Sequence, residues 1–130
     1  MLRTFIADRR GVAAIEFALL APAFLMLLIG TMTMGVLLFT ASSLHFATEA
    51  AARCASVKST VCKDAPTTVA FAASNYFGSK NAAAFTCSGR VCGGTAASCG
   101  NKVAGTVTVT LDVGILPSFS TPLHADACYP

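Results

Sequence analysis

From Phe17 to Leu44 the chain carries no ionisable side chain, a run longer than the roughly 20 residues that a helix needs to cross the hydrocarbon core of a bilayer. The pattern predicts a membrane-spanning helix, transmembrane to about residue 41. Its periodicity continues past the apolar run, through SSLHFATEAAARCASV to residue 57. Leu44, Ala47, Ala51 and Ala55 fall on one weakly apolar stripe. His45, Glu49 and Arg53 stack at four-residue intervals on another, with the glutamate before the arginine as a helix favours. Beyond residue 58 the pattern shortens. Pro66 suits the first turn of a helix whose apolar positions are Val69, Ala72, Ala73, Tyr76 and Phe77, with Gly78 as its C-terminal cap. Ala82 to Cys87 reads as a short strand, and SGRVCGGTAASCGNK as a loop without periodicity. From Val103 to Val113 apolar and polar residues alternate as in a half-buried strand. GILPSFSTP turns the chain, and Leu123 to Tyr129 alternate again, with Leu123, Ala125, Ala127 and Tyr129 on one face. The expected class is α+β: a long N-terminal transmembrane helix, then a small domain with one short helix and a small antiparallel sheet.

The head of the apolar run holds the chemistry. Gly11 follows Arg9 and Arg10 and offers a bare backbone at the membrane face, so a peptidase can reach the Gly11–Val12 bond. Cleavage there removes a basic leader, residues 1–11, and leaves Val12 as a new amine with Glu16 at the fifth position. A carboxylate at the edge of an apolar helix is a boundary residue at headgroup depth or is paired. An amine and a carboxylate in a low-dielectric layer each need a partner, and a neighbouring copy of the helix supplies one. Positions spaced by sevens from Glu16 are Ala23, Gly30 and Leu37, partly a small-residue face of the kind close helix approach requires. Pro22 removes one backbone donor and is expected to kink the helix. The alternative, an ordinary secretory signal ending near Ala41-Ser42-Ser43, conflicts with an apolar run well beyond the usual 7 to 15 residues.

Composition adds the compartment. Charged residues are 12% of the 130 and hydrophobic ones 55%, against roughly 25% charged in soluble proteins. A net charge of +3 with no Trp and no basic cluster after Arg10 excludes a nucleic-acid platform. Arg3, Arg9 and Arg10 place the N-terminus in the cytoplasm by the positive-inside rule. Cys54, Cys62, Cys87, Cys92, Cys99 and Cys128 all follow the apolar run, as expected of disulfides in an extracytoplasmic, oxidising space. A domain of about 75 residues buries too little to be robust without such staples. Six cysteines allow 15 pairings; the expected set is Cys54–Cys62, Cys92–Cys99 and Cys87–Cys128, the last tying two strands.

Other chemistry finds little support. Cys87, Cys92 and Cys99 with Cys128 or His124 match no common structural-zinc spacing. His45 stands on a charged helix face without a second ligand. No catalytic pair, Cys-x-x-Cys motif or phosphate-binding glycine loop occurs, so no enzyme and no cofactor are expected.

Gly11, Glu16 and Phe17, the apolar run with Pro22, and then Leu44, Ala47, Glu49, Ala51, Ala52 and Arg53 resemble the TadE-like segment of tight-adherence (Flp-type) pilus assembly proteins. The resemblance implies a pseudopilin of pilin-like plan, cut after Gly11 by a prepilin peptidase, with Glu16 used in assembly. Its implied partners are that peptidase, other pilins or pseudopilins, pilus assembly components and the lipid bilayer. Its implied location is the bacterial inner membrane, single-pass, with residues 58–130 periplasmic or extracellular. The alternative is an uncleaved anchor whose disulfide-rich domain binds a ligand or partner at the surface.

Overall fold

The computed structural model describes residues 11–58, 60–78, 83–94, 98–111 and 118–130. Residues 1–10 of the basic leader, Ala82 at the expected start of the first strand, the end of the strand expected to reach Val113, and residues 114–117 of the turn after it lie outside the described residues. Five elements follow in order: α1 (Val12–Val57), α2 (Ala65–Ser74), β1 (Ala83–Ser88), β2 (Asn101–Leu111) and β3 (Phe119–Tyr129). The arrangement is α+β. Two compact units divide at Gly35 and Val36, inside α1.

In the first unit α1 is apolar on every side from Phe17 onward, and it runs through Pro22 as one helix. Its few hydroxyls need no outside partner. Thr31 Oγ1 donates to the Leu28 carbonyl at 2.9 Å and Thr33 Oγ1 to the Gly30 carbonyl at 2.8 Å. Such back-bonding to the preceding turn satisfies a hydroxyl where the surroundings offer no water.

The second unit is a head built around the other half of α1. Leu44, Ala47, Ala51 and Ala55, the stripe read from the sequence, are all buried, while His45, Glu49 and Arg53 are exposed. The sheet is an antiparallel meander ordered β1-β2-β3, and its inner face is the odd-numbered set of β2: Val103, Gly105 and Val107. Val103 pairs with Cys87 on one side and Ala127 on the other, and Val107 with Ala83 and Leu123. Two core clusters result, one of Leu44, Ala47, Tyr76, Val107 and Ala125, the other of Ala51, Ala52, Ala72 and Val103. A third, Cys54, Ala55 and Cys62, closes the end of α1.

α2 departs from its expected bounds. Asp64 caps it: its carboxylate accepts from the Thr67 amide at 2.9 Å, and the Thr67 hydroxyl oxygen accepts from the Asp64 amide at 3.2 Å. This reciprocal capping box satisfies two otherwise orphaned donors. The helix stops at Ser74, with Asn75 as its cap, not Gly78. Its buried face is Thr68 and Ala72, continued by Tyr76, whereas Phe77 lies beyond the helix and is exposed. β3 begins earlier than expected, at Phe119, and contains Pro122 opposite Thr108. An edge strand tolerates a missing donor, so the proline does not end it.

Candidate functional site

Among the described residues nothing covers the head of α1. The α-helix starts at Val12, directly after Gly11. Gly11, Val12, Glu16 and Phe17 are exposed, and a β-carbon on Gly11 would meet nothing within 4 Å. Glu16 is one turn from Val12, so the two share a face. No acidic residue stands in the first turn of the helix, which leaves Glu16 as the nearest carboxylate to it among the described residues. Large apolar side chains of the following turns are uncovered as well: Phe17 is 73% exposed, Leu19 72% and Met26 75%. The helix is long and apolar enough to cross a membrane, and none of its most apolar stretch is buried within the molecule. Gly30, on the seven-residue series from Glu16, has nothing within 4 Å of its β position. A second helix can therefore approach that face closely.

The head is held by three disulfides and one polar network. Cys54 pairs with Cys62 across the end of α1, as the sequence suggested. The other two pairs are Cys87–Cys92 and Cys99–Cys128, in place of the expected Cys92–Cys99 and Cys87–Cys128. Sheet register explains the exchange. β2 lies between β1 and β3, so Cys87 and β3 are two strand spacings apart, roughly 10 Å, too far for a disulfide. The residue level with Cys87 on β3 is Ala127, through Val103, so Cys128 points to the opposite face. Instead a bridge between Gly89 and Gly93 folds the chain back and brings the α-carbons of Cys87 and Cys92 to 5.6 Å. Gly89 has φ +135 and its β-carbon would meet the Gly100 carbonyl, so only glycine fits that turn. All six described cysteines are oxidised, and the thiolates that a zinc site would need are consumed.

Asn101 was not anticipated. Its side chain is buried, accepts from the Val91 amide at 3.0 Å and donates to Ser56 Oγ at 3.0 Å, and Ser56 in turn donates to the Tyr129 carbonyl at 3.1 Å. One amide thus fastens the cysteine-rich loop and the end of β3 to α1. Its only sequence signal is the Gly-Asn pair ahead of an alternating strand. Tyr76 was read as an apolar helix position, yet its hydroxyl is buried with no partner among the described residues, and burial raises its pKa above the ordinary 10.0. Asp64 is the opposite case: the Thr67 side chain, then the Thr67 backbone, hold its carboxyl below the usual range. The exposed Lys102–Asp126 pair, at 3.2 Å, contributes little in water.

These features define a class: a chain with one helix able to cross a membrane, whose far half is the core of a small, disulfide-stapled α+β head. Residues 11–53 match the family model described as TadE-like protein, the family that the Gly-x-x-x-x-Glu-Phe head resembles, and the match supports a pilus-associated protein. Neither the curated proteins nor the solved structures gave a match.

Proposed function

We propose that this chain is a minor pseudopilin or membrane-anchored assembly protein of a tight-adherence (Flp-type) pilus or related secretion system. The observation that carries the reading is the TadE-like match over residues 11–53, which begins at the glycine that exposes the Gly11–Val12 bond. In this reading a prepilin peptidase cuts after Gly11, residues 1–11 are lost, and the Val12 amine pairs with Glu16 of a neighbouring helix. The helix anchors the chain in the inner membrane with its N-terminus cytoplasmic and residues 58–130 outside. Six oxidised cysteines support that orientation, since disulfides persist in oxidising compartments. The role is structural, and the chain's partners are the peptidase, other pilins and the assembly components.

Intact mass of the membrane-extracted protein tests it. Loss of residues 1–11 supports processing, while the full mass favours an uncleaved anchor whose head binds a partner.

A further inference from the structure

We infer that the end of the head where α1 stops is a docking surface for a different protein, one that offers an apolar side chain flanked by several carboxylates. This surface lies wholly in the unit that begins at Val36, so it goes beyond the proposed function and is the same in a cleaved and an uncleaved chain.

Three segments are fastened together at that end. The Lys58 carbonyl accepts from the amides of Val61 and Cys62 at 2.9 and 3.0 Å, and the Cys54–Cys62 disulfide holds this turn against α1. Val91 packs on Cys54, Ala55 and Cys62, and Asn101 accepts from its amide. Lys58, Lys63 and Arg90 are exposed residues at or next to these anchors, and the exposed Arg53 precedes Lys58 on α1 by little more than a turn. Their charges go largely unanswered. Among the described residues only Lys102 and Asp126 form an ion pair, and the carboxylate of Asp64 is turned to the Thr67 amide and hydroxyl. Ser59 and residues 95–97, which adjoin these segments in the sequence, are uncharged. Two disulfides and a buried amide fix the positions of the cations, so little conformational freedom remains to be lost on binding.

Apolar surface lies among these cations. Val57 and Val61, on either side of Lys58 in the chain, are 64% and 50% exposed. A cavity of about 820 Å³ is lined by Phe46, Ala50, Val57 and Phe71 together with Arg53 and Lys58. Of its two carboxylates, Asp126 is held by Lys102 at 3.2 Å, and Glu49 stands toward Phe46. The volume is within the roughly 300–1,000 Å³ of cavities that receive ligands. An apolar centre inside a charged rim is the anatomy of a protein interface, and complementary charge decides which partner is accepted. A second copy does not fit, because it brings the same excess of cations on a chain of net charge +3. A nucleic acid or an acidic polysaccharide is met by an unbroken cationic track, which Val57 and Val61 interrupt here.

The probe is a random peptide library displayed on phage. The full chain in nanodiscs of phosphatidylcholine is the bait, and empty nanodiscs of the same lipid remove peptides that bind the disc. Enriched peptides should carry several Asp or Glu around a Leu, Phe or similar residue. Enrichment of basic or uncharged sequences, or no enrichment over empty discs, overturns the inference. The leading peptide is then titrated by fluorescence anisotropy. Lys58→Glu and Arg90→Glu should each weaken binding at least about tenfold, since like charges then face each other, and added salt should weaken it too. Thr106→Glu combined with Thr108→Glu makes the same change of net charge on the exposed, outer face of β2, and should change binding much less. Equal losses in all three variants would mean attraction to net charge alone, and undiminished binding to Lys58→Glu and Arg90→Glu would place the peptide elsewhere; either overturns the inference. Heparin binding more tightly than the peptide would assign this end to a polyanion and overturn it as well. The mass of three intact disulfides checks folding. Lys58 and Arg90 lie on separate segments, so one misfolded variant leaves the other to decide. Cleavage after Gly11 is read by intact mass, so failure here leaves the proposed function standing.

Discussion

Gly105 of β2 faces Leu44 of α1 so closely that a β-carbon on the glycine would lie 3.0 Å from Leu44 Cδ1 and 2.8 Å from Phe85 Cε1. Glycine within a strand ordinarily weakens it, and alanine would be the better residue by strand preference. Here the sign reverses. Phe85 is edge-on to Tyr76 at 6.0 Å, so neither ring moves alone, and the added methyl overpacks the core at about 1–3 kcal/mol. Gly105→Ala should lower the unfolding temperature of the oxidised protein in detergent, by ~4–8 °C per kcal/mol for a domain of this size. Gly105→Val should lower it further. An alanine variant as stable as the parent would show that the helix and sheet are not in close contact there.

Asn101→Ala leaves the Val91 amide without its acceptor and Ser56 without its donor. Removing one partner from a buried polar group costs about 1–3 kcal/mol. Amide hydrogen exchange at Val91 should quicken while exchange in the middle of β2 changes much less. Unchanged protection at Val91 would mean that the loop is held by its disulfide alone.

Tyr76→Phe removes a buried hydroxyl that has no partner among the described residues and whose burial disfavours ionisation. The variant should be as stable as the parent or more so, because an unsatisfied polar atom in the core costs about 1–3 kcal/mol. Tyr76→Ala should cost about 3–5 kcal/mol through the cavity it leaves. Clear destabilisation of Tyr76→Phe, measured by urea unfolding, would reveal that the hydroxyl is bonded.

The Asp64 cap gives the head a pH dependence of known sign. Its folded pKa is held below the ordinary 3.8 by Thr67. The carboxylate therefore contributes stability that is fully present above 3.8 and is lost as pH falls through the depressed folded value. The stability difference between the parent and Asp64→Asn should shrink on acidification below the ordinary aspartate range. A difference constant with pH would remove the capping carboxylate from the account.

At the head of α1 two substitutions separate the two proposed roles, cleavage and charge pairing. Gly11→Val should leave the protein inserted and uncut, since a β-branched side chain obstructs a peptidase that must approach the backbone. Glu16→Gln should be cut normally yet fail to assemble, because stranding one member of a desolvated ion pair weakens association by at least about a hundredfold. Gel shift and pilus counts in the same strain read both steps. Intact pili from cleaved Glu16→Gln protein would remove the charge-pairing role and keep the family resemblance.

Long periodic segments were the legible part of this chain. The stripe Leu44, Ala47, Ala51 and Ala55 and the alternation through Val103 and Val107 each repeat often enough to fix a face. What escaped depends on contacts between elements. Cys87 and Cys128 are plausible partners by spacing, but the strand between them and a one-residue offset of face forbid the bond. Gly78 has the look of a helix cap, yet a β-carbon there would overlap the Tyr76 hydroxyl, so its smallness serves packing. Pro122 reads as a turn until its strand is known to be an edge. Of the candidate site only position was legible: Gly11 and Glu16 stand out at the head of an apolar run, whereas Asn101 is a polar residue in a core and follows no period.

No linker joins anchor to head, because the same helix supplies both. Leu44, Ala47, Ala51 and Ala55 are residues of α1 and also the floor on which the sheet is laid. A protease that cut between Leu44 and Val57 would not release a folded head, and a recombinant fragment beginning at residue 58 would present the inner face of its sheet to water. Solubility of the head therefore has to be sought with the helix attached, by substituting the exposed apolar residues ahead of Thr40 and leaving the stripe intact.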